Sequence, residues 1–252
     1  GETEPALATI QQVLKTDSDN LHAVVVEARL LQTLNRDDEV FTRLQRVLEN
    51  HPENRRLRLQ YARMLMKNNV PLAKTQFEVL LKTTPNDPDL LLSLGLISKE
   101  TNDIDDATHY FSRLLQTGER SNEANFYLGQ LAEQSALPSV AIDHYKAVIP
   151  GTNFLAAINR IINLYVRQDQ FDMAREHISD LRQQHPEHAV RLYLLESDLL
   201  VNHSNWEAAH NLLSEAIVQS PKQANLLYAR SMLSEKMGDL APSKKILHEN
   251  ID

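Results

Sequence analysis

The sequence predicts an all-α fold, a right-handed superhelix of about seven helical hairpins, and three observations carry that prediction. The stretch Leu91 to Leu115 reads as a complete hairpin: Leu91, Leu94, Gly95 and Ser98 share one face of a first helix. Asn102-Asp103 then breaks the pattern, and Ile104, Ala107, Phe111, Leu114 and Leu115 share one face of a second. Such a hairpin is too small to bury its own apolar surface. The second observation is self-similarity. Counterparts of Ala107 fall at Ala6, Val40, Ala73, Ala141, Ala174, Ala209 and Ser243, in steps of 33 to 35 residues. Third, two further series keep the same period. A large residue recurs at Ile10, Leu44, Phe77, Phe111, Tyr145, Ile178, Leu213 and Leu247, and the first helices repeat Ala28, Ala62, Gly95, Gly129, Ile162, Ser197 and Ser231.

In chain order, residues 4–15 form a second helix whose first helix is missing, with Pro5 tolerated in the opening turn. Units are expected at 21–50, 55–83, 88–117, 122–149, 154–184, 190–219 and 224–250, the last cut inside its second helix. The fourth unit closes early, at Pro150-Gly151, and Pro138 stands near the start of its second helix. Turns inside the hairpins are expected at Asn68-Asn69, Asn102-Asp103 and Gly238-Asp239. Breaks between units are expected at His51-Pro52, Thr84-Pro85, His185-Pro186 and Ser220-Pro221, because the residue before proline is pushed out of helical geometry. Gly118 suits a left-handed helix end. Trp206, Phe171 and Ile104 share one position at the start of the second helix, where the register makes them core residues.

These residues resemble the tetratricopeptide repeat. Its marks are the period near 34, a small residue in the first helix (Gly95, Gly129), Ala opening the second, an aromatic four residues later (Phe77, Phe111, Tyr145) and Pro closing the unit (Pro52, Pro85, Pro186, Pro221). The likeness covers essentially the whole chain. The family's usual Trp in the first helix is absent, and Ile162 stands where Gly or Ala is usual. The family implies a stacked solenoid and a non-enzymatic scaffold or adaptor that binds a protein or peptide in a concave groove.

Composition narrows the function classes. The net charge is −8 and the isoelectric point about 5.7, which argues against a nucleic-acid footprint. With no Cys, thiol chemistry and Cys-ligated metals are excluded. No run approaches a spanning helix, and no phosphate loop or nucleophile elbow is present. His185-x-x-His188 is the closest histidine pair, but it straddles Pro186 and reads as two turn histidines. No cofactor, metal or small-molecule substrate is expected. Gly1 in place of Met, and repeats cut at both ends, point to a piece of a longer protein. An accessory segment of a larger enzyme is therefore the alternative reading. The last half-unit, lacking a following repeat, is expected to leave Ile246 and Leu247 partly exposed or borrowed by a neighbouring molecule.

One charge feature stands out of this acidic chain. Arg55 to Lys67 holds four Arg and one Lys and no acid. In the resembled family, positions 2, 5, 9 and 12 of each first helix line the groove. Carried over, they are His22, Val25, Arg29 and Gln32 in the first unit, and Arg56, Leu59, Arg63 and Met66 in the second. The third gives Asp89, Leu92, Leu96 and Lys99, the fourth Glu123, Phe126, Gln130 and Glu133, and the fifth Ala156, Asn159, Asn163 and Val166. The candidate partner-binding residues are Arg29, Arg56, Leu59, Arg63, Met66, Leu92, Leu96, Phe126, Asn159 and Asn163. Arg is suited to two-pronged capture of carboxylates.

Some family members clamp a partner's terminal carboxylate. Asn163 and Arg191 match clamp positions here, but Asn159 and Leu195 replace the basic residues the clamp needs. A narrower likeness, in residues 144–165 and 188–200, is to large repeat lipoproteins of proteobacterial outer membranes. Some of these are adaptors for a periplasmic carboxyl-terminal processing protease. It implies a periplasmic location and a lipid anchor outside this sequence.

Overall fold

The computed structural model describes residues 2–18 and 20–249, with side chains beyond Gly238 and that of Asp37 outside the description. Among the described residues there are fourteen α-helices and no strand. They divide into two compact units, residues 1–157 and 158–252. The first unit holds α1 (Thr3–Thr16), α2 (Leu21–Thr33), α3 (Asp37–Asn50), α4 (Arg55–Asn68), α5 (Val70–Thr83), α6 (Pro88–Glu100), α7 (Ile104–Gln116), α8 (Ser121–Gln134) and α9 (Pro138–Lys146). Helix α10 (Phe154–Arg167) crosses the boundary. The second unit continues with α11 (Phe171–Gln184), α12 (Ala189–Asn202), α13 (Trp206–Gln219) and α14 (Ala224–Glu249). The chain thus reads as a lone helix, six helix pairs and a long last helix. The first helix of each pair is called A below and the second B.

Helix starts are set by short polar side chains. The N–H groups of Ala23, Leu57, Leu72, Leu90 and Asp106 donate to the side chains of Asn20, Asn54, Asn69, Asp87 and Asp103. Each such cap contributes about 1 kcal/mol. Five of the six A-to-B turns share one closure, the exception being the α4–α5 turn at Asn69, where φ is −152°. Asn35, Asn102, Ala136, Asp169 and Ser204 all have φ between 56° and 61°. The N–H of the next residue then reaches back to the carbonyl five residues earlier, as from Arg36 to Leu31 and from Asp103 to Ser98. This is the left-handed helix end that leaves no terminal carbonyl of the last turn stranded. Gly118, with φ +76°, takes the same left-handed conformation after α7.

The small residue of helix A exists to admit the large residue of helix B. A Cβ placed on Gly95 would lie 2.6 Å from the Phe111 ring, and one on Gly129 would lie 2.6 Å from the Tyr145 ring. Ala107, Ala73, Ala141, Ala174 and Ala209 are fully buried, as the period requires. Adjacent repeats of the first unit are stitched by polar bonds about one period apart in sequence. Lys74 bonds Asp103 (3.2 Å) and Asp106 (2.5 Å), Arg113 donates to the Pro85 carbonyl (2.6 Å), and Gln134 donates to Asn102 (2.5 Å). Two buried carboxylates are neutralised: Glu27 by Arg43 at 3.0 Å, and Glu196 by Arg175 at 3.1 Å and Arg182 at 2.7 Å. Paired and hydrogen-bonded, they escape the penalty of a lone buried charge.

Three details differ from expectation. Trp206, Phe171 and Ile104 are half-buried at the edge of the core, and Lys236 lies 5.8 Å above the Trp206 ring. The predicted turn at Gly238-Asp239 does not form, since α14 runs unbroken through it for 26 residues. The expected seventh hairpin is therefore a single helix, and the predicted exposure of Ile246 and Leu247 lies outside the described residues. Finally, α9 has only 9 residues, and the chain leaves it before Pro150. Asn122 covers the break: its amide donates to the Ile149 carbonyl at 2.8 Å and accepts from the Ile149 N–H at 3.1 Å.

Candidate peptide-binding groove

In the first unit the candidate positions lie on helices A, which present one register to one side. Helices α2 and α4 touch directly; Arg29 lies on α2, and Arg56 and Arg63 lie on α4. All three are exposed, and none makes an ion pair with a described residue. Arg56 and Arg63 are seven residues apart, hence about 10 Å apart along one side of α4.

The basic stretch from Arg55 to Lys67 therefore divides into two faces with different duties. Arg55 donates to the Thr84 hydroxyl at 2.6 Å and pairs with Asp87, while Arg58 donates to Gln76 at 2.5 Å and to the Pro52 carbonyl at 2.6 Å. These two tie the scaffold together. Elsewhere in the unit, Arg36 pairs with Glu39 at 2.6 Å and Arg43 with Glu27 at 3.0 Å. Arg46 on α3 is likewise exposed with no ion pair among the described residues; what Arg29, Arg56 and Arg63 share is their place on helices A.

The apolar floor is only partly as expected. Leu59, Met66 and Leu92 are half-buried, and Leu96 is 36% exposed. Phe126 corrects the prediction: it is 9% exposed, its ring 5.7 Å from Tyr127 and 5.8 Å from Tyr145, so it belongs to the core. Val25, at the same repeat position in α2, is buried as well. The partly open aromatic at this end is Tyr127, stacked 5.0 Å from Phe111 with Lys99 5.9 Å above its ring. The register count missed it by one position.

Two of the three acids of the predicted groove share one cation that spacing did not single out. Arg120 pairs with Asp89 at 2.6 Å and with Glu123 at 3.1 Å. It stands just before α8 with φ +50°, which turns its side chain back toward both. The Asp89 bond, foremost, raises the guanidinium further above its ordinary range. The signal was present in sequence: one Arg between two acids a repeat apart.

In the second unit, Asn159 and Asn163 lie exposed on the part of α10 beyond Ile158. Arg191 is exposed on α12 and Leu195 half-buried, so the clamp-like residues are accessible but incomplete. His185 and His188 both lie near Glu187, at 3.5 and 3.9 Å. Among the described residues no three metal-binding side chains come together. Likewise no described helix is long and apolar enough to cross a membrane. Concavities are shallow clefts between neighbouring helices. One, of about 450 Å³, is lined by Glu27, Leu31, Asp38, Glu39, Thr42, Arg43 and Arg46, and its central charges are already paired. No groove arginine lines it.

Comparison with known proteins agrees with the repeat geometry. Residues 92–155 match the tetratricopeptide repeat family model. The TPR repeat-containing protein PA4667 of Pseudomonas aeruginosa is 36% identical over 239 residues, which are 93% of this chain and 40% of that protein. The chain thus spans well under half the length of that relative. A tetratricopeptide repeat protein from Parabacteroides merdae superposes with a TM-score of 0.55 at 14% identity, over 93% of either chain. The MamA protein does so with a TM-score of 0.55 at 16% identity, over 75% of this chain and 95% of its own. Period, turn closure, the glycine-to-ring contacts and these matches agree on a tetratricopeptide-repeat fold.

Proposed function

We propose that the first unit is a non-catalytic scaffold whose helix-A face captures an acidic segment, or the carboxyl terminus, of a partner protein. Tetratricopeptide proteins generally mediate contacts between proteins, and a stack of helices offers extended surface rather than reactive groups. One observation carries the charge of the ligand. Among the described residues, Arg29, Arg56 and Arg63 are exposed on helices A without a carboxylate, as Arg46 is on helix B α3, while Arg36, Arg43, Arg55 and Arg120 are ion-paired. Unpaired guanidiniums need break no internal bond to accept a carboxylate, and Arg120 offsets one of the two negative charges of Asp89 and Glu123. Leu59, Met66 and Leu96 supply apolar contact between the charges. The alternative, an accessory segment of an enzyme, draws support from none of these residues.

The test is calorimetric titration with Asp/Glu-rich peptides, each made with a free and an amidated carboxyl end. Reversal of Arg56 and Arg63 to Glu should weaken capture by at least about 2 kcal/mol if both pair with the ligand. Binding should also fall with salt over the ~10 Å screening length at 0.1 M. Reversal of Arg46, exposed on α3, is the control and should change little. Equal affinity for wild type and the double reversal would refute the reading. The narrower resemblance adds a partner class, a periplasmic processing protease, and a lipid-anchored setting. Capture from periplasmic extract by the full-length protein tests both; a cytoplasmic partner would overturn them.

A further inference from the structure

Between α3, α4 and α5 lies a cleft of about 310 Å³ whose polar lining is Gln45, Glu49, Arg58, Tyr61 and Gln76. On α4, Arg58 and Tyr61 stand two positions from Arg56 and Arg63 respectively, about 200° round the helix. The cleft therefore shares no side chain with the arginine face and is independent of the function proposed for it. Two other clefts of this unit have their polar groups matched internally. In one, Arg43 meets Glu27 at 3.0 Å; in the other, the Tyr110 hydroxyl donates to Glu78 at 3.2 Å. The cleft at Arg58 holds the same kinds of group, an arginine, a tyrosine and a glutamate, without such a match.

Arg58 is half-buried and bonded to neutral acceptors, the Gln76 side chain at 2.5 Å and the Pro52 carbonyl at 2.6 Å. A guanidinium has five N–H donors, so these two bonds leave others unused. Glu49 accepts from the Gln45 amide at 3.4 Å. Tyr61 is 6% exposed, and its hydroxyl makes no hydrogen bond with a described residue. Burial, and after it the charge of Glu49, hold that hydroxyl above its ordinary pKa, so the carboxylate stands near it. Charges of both signs thus line one cleft, and neither is ion-paired with a described residue. A half-buried charge left without a counter-charge is costly, and a bound partner relieves that cost.

We propose that this cleft binds a free apolar α-amino acid. Its carboxylate would lie on Arg58, its ammonium on Glu49 and the Tyr61 hydroxyl, and its side chain against Leu48 and Leu72, which complete the lining. Charge decides the class of ligand. A simple anion would gain Arg58 but meet the repulsion of Glu49, and a simple cation would meet the reverse. A zwitterion answers both charges at once, and a tyrosine hydroxyl can accept as well as donate. Size agrees, since the cleft lies at the small end of the roughly 300–1,000 Å³ that ligand sites span. Leu48 is buried and Leu72 half-buried, so the apolar wall is fixed by the core beneath it.

The test titrates the whole chain with L-leucine and follows its backbone amide signals by NMR. Binding should saturate, with shifts around Glu49, Arg58 and Tyr61. N-acetyl-L-leucine lacks the ammonium and L-leucinamide lacks the carboxylate, and each should bind at least about tenfold more weakly, the loss expected for one charged hydrogen bond. Glu49→Gln should weaken leucine by a similar factor and erase its advantage over the acetylated form. Tyr61→Phe should give a smaller loss. Both variants keep the bonds of Arg58 to Gln76 and Pro52, so unfolding does not stand in for lost binding. No saturation up to the solubility of leucine would overturn the proposal, as would equal affinity for leucine and N-acetyl-L-leucine. So would equal binding of the tripeptide Gly-Gly-Leu, whose ammonium is too far from its carboxylate to reach Glu49; the cleft would then seat a partner's carboxyl terminus. Shifts confined to the surroundings of Arg56 and Arg63 would move the leucine to the helix-A face and overturn it too.

Discussion

Replacing Gly95 by Ala sets two measurable effects against each other. In an exposed helix the exchange would gain about 1 kcal/mol from propensity. Here the new methyl would sit 2.6 to 2.8 Å from three carbons of the Phe111 ring, closer than non-bonded carbons come. The ring has nowhere to retreat, being fully buried and stacked 5.0 Å from Tyr127. Overpacking of this kind costs about 1–3 kcal/mol, so it cancels or exceeds the gain. We expect Gly95→Ala to lower stability by up to about 2 kcal/mol in urea or thermal unfolding. Phe111→Leu alone removes ring volume and should itself cost about 1–3 kcal/mol. In the double variant the methyl enters vacated space, so the two losses should not add; the coupling should be at least about 1 kcal/mol in favour of the pair. Gly129→Ala should behave the same way against Tyr145, whose hydroxyl donates to Glu133 at 2.5 Å and so holds the ring in place. Additive losses at Gly95 and Phe111, or a net gain from Gly95→Ala alone, would mean that this contact does not set the spacing of the hairpin.

Two further outcomes concern the breaks between elements. Asn122→Ala should cost about 0.5–2 kcal/mol for its two bonds to Ile149, and hydrogen exchange should quicken at the Ile149 amide while α7 is unaffected. Acid should weaken the first unit in two stages. Burial holds the His144 imidazole below its usual value, so its contribution is present above about pH 6.5 and is lost as pH falls. The Asp103 carboxyl is also held low, chiefly by the Asp106 N–H and next by Lys74, so its contribution is lost only below about pH 4. Asp103→Asn should flatten the second stage and leave the first; unchanged melting curves between pH 7 and 3 would contradict both assignments.

What was legible in sequence was whatever repeats. Three residue series fixed the phase of every helix pair because each marks a contact, small residue against large, that must recur if identical units are to stack. The turns were legible for the same reason where an Asn or Asp stands, but Ala136 and Ser204 take the left-handed conformation without any such signature. At Gly238 the reasoning fails in the opposite direction. The residue best suited to a left-handed turn stays helical, inside a helix that runs from Ala224 to Glu249.

The groove was harder to read because exposure on a stacked helix depends on the neighbours as well as on phase. Position 5 of helix A is half-open at Leu59 and Leu92 yet closed at Val25 and Phe126. A register count treats these four alike. What separates Phe126 is size: its ring reaches Tyr127 and Tyr145, so the inward rotamer gains aromatic contact that an outward one would forgo. Charged residues escape this ambiguity in one respect, since a guanidinium without a buried partner must stay in water, and Arg29, Arg56 and Arg63 do. Whether a charge is spoken for is still a tertiary matter. Arg55 and Arg56 are adjacent in sequence, but the turn of the helix aims one at Asp87 and leaves the other facing solvent. The unpaired residue is the one with binding capacity to spare, and only the fold tells the two apart.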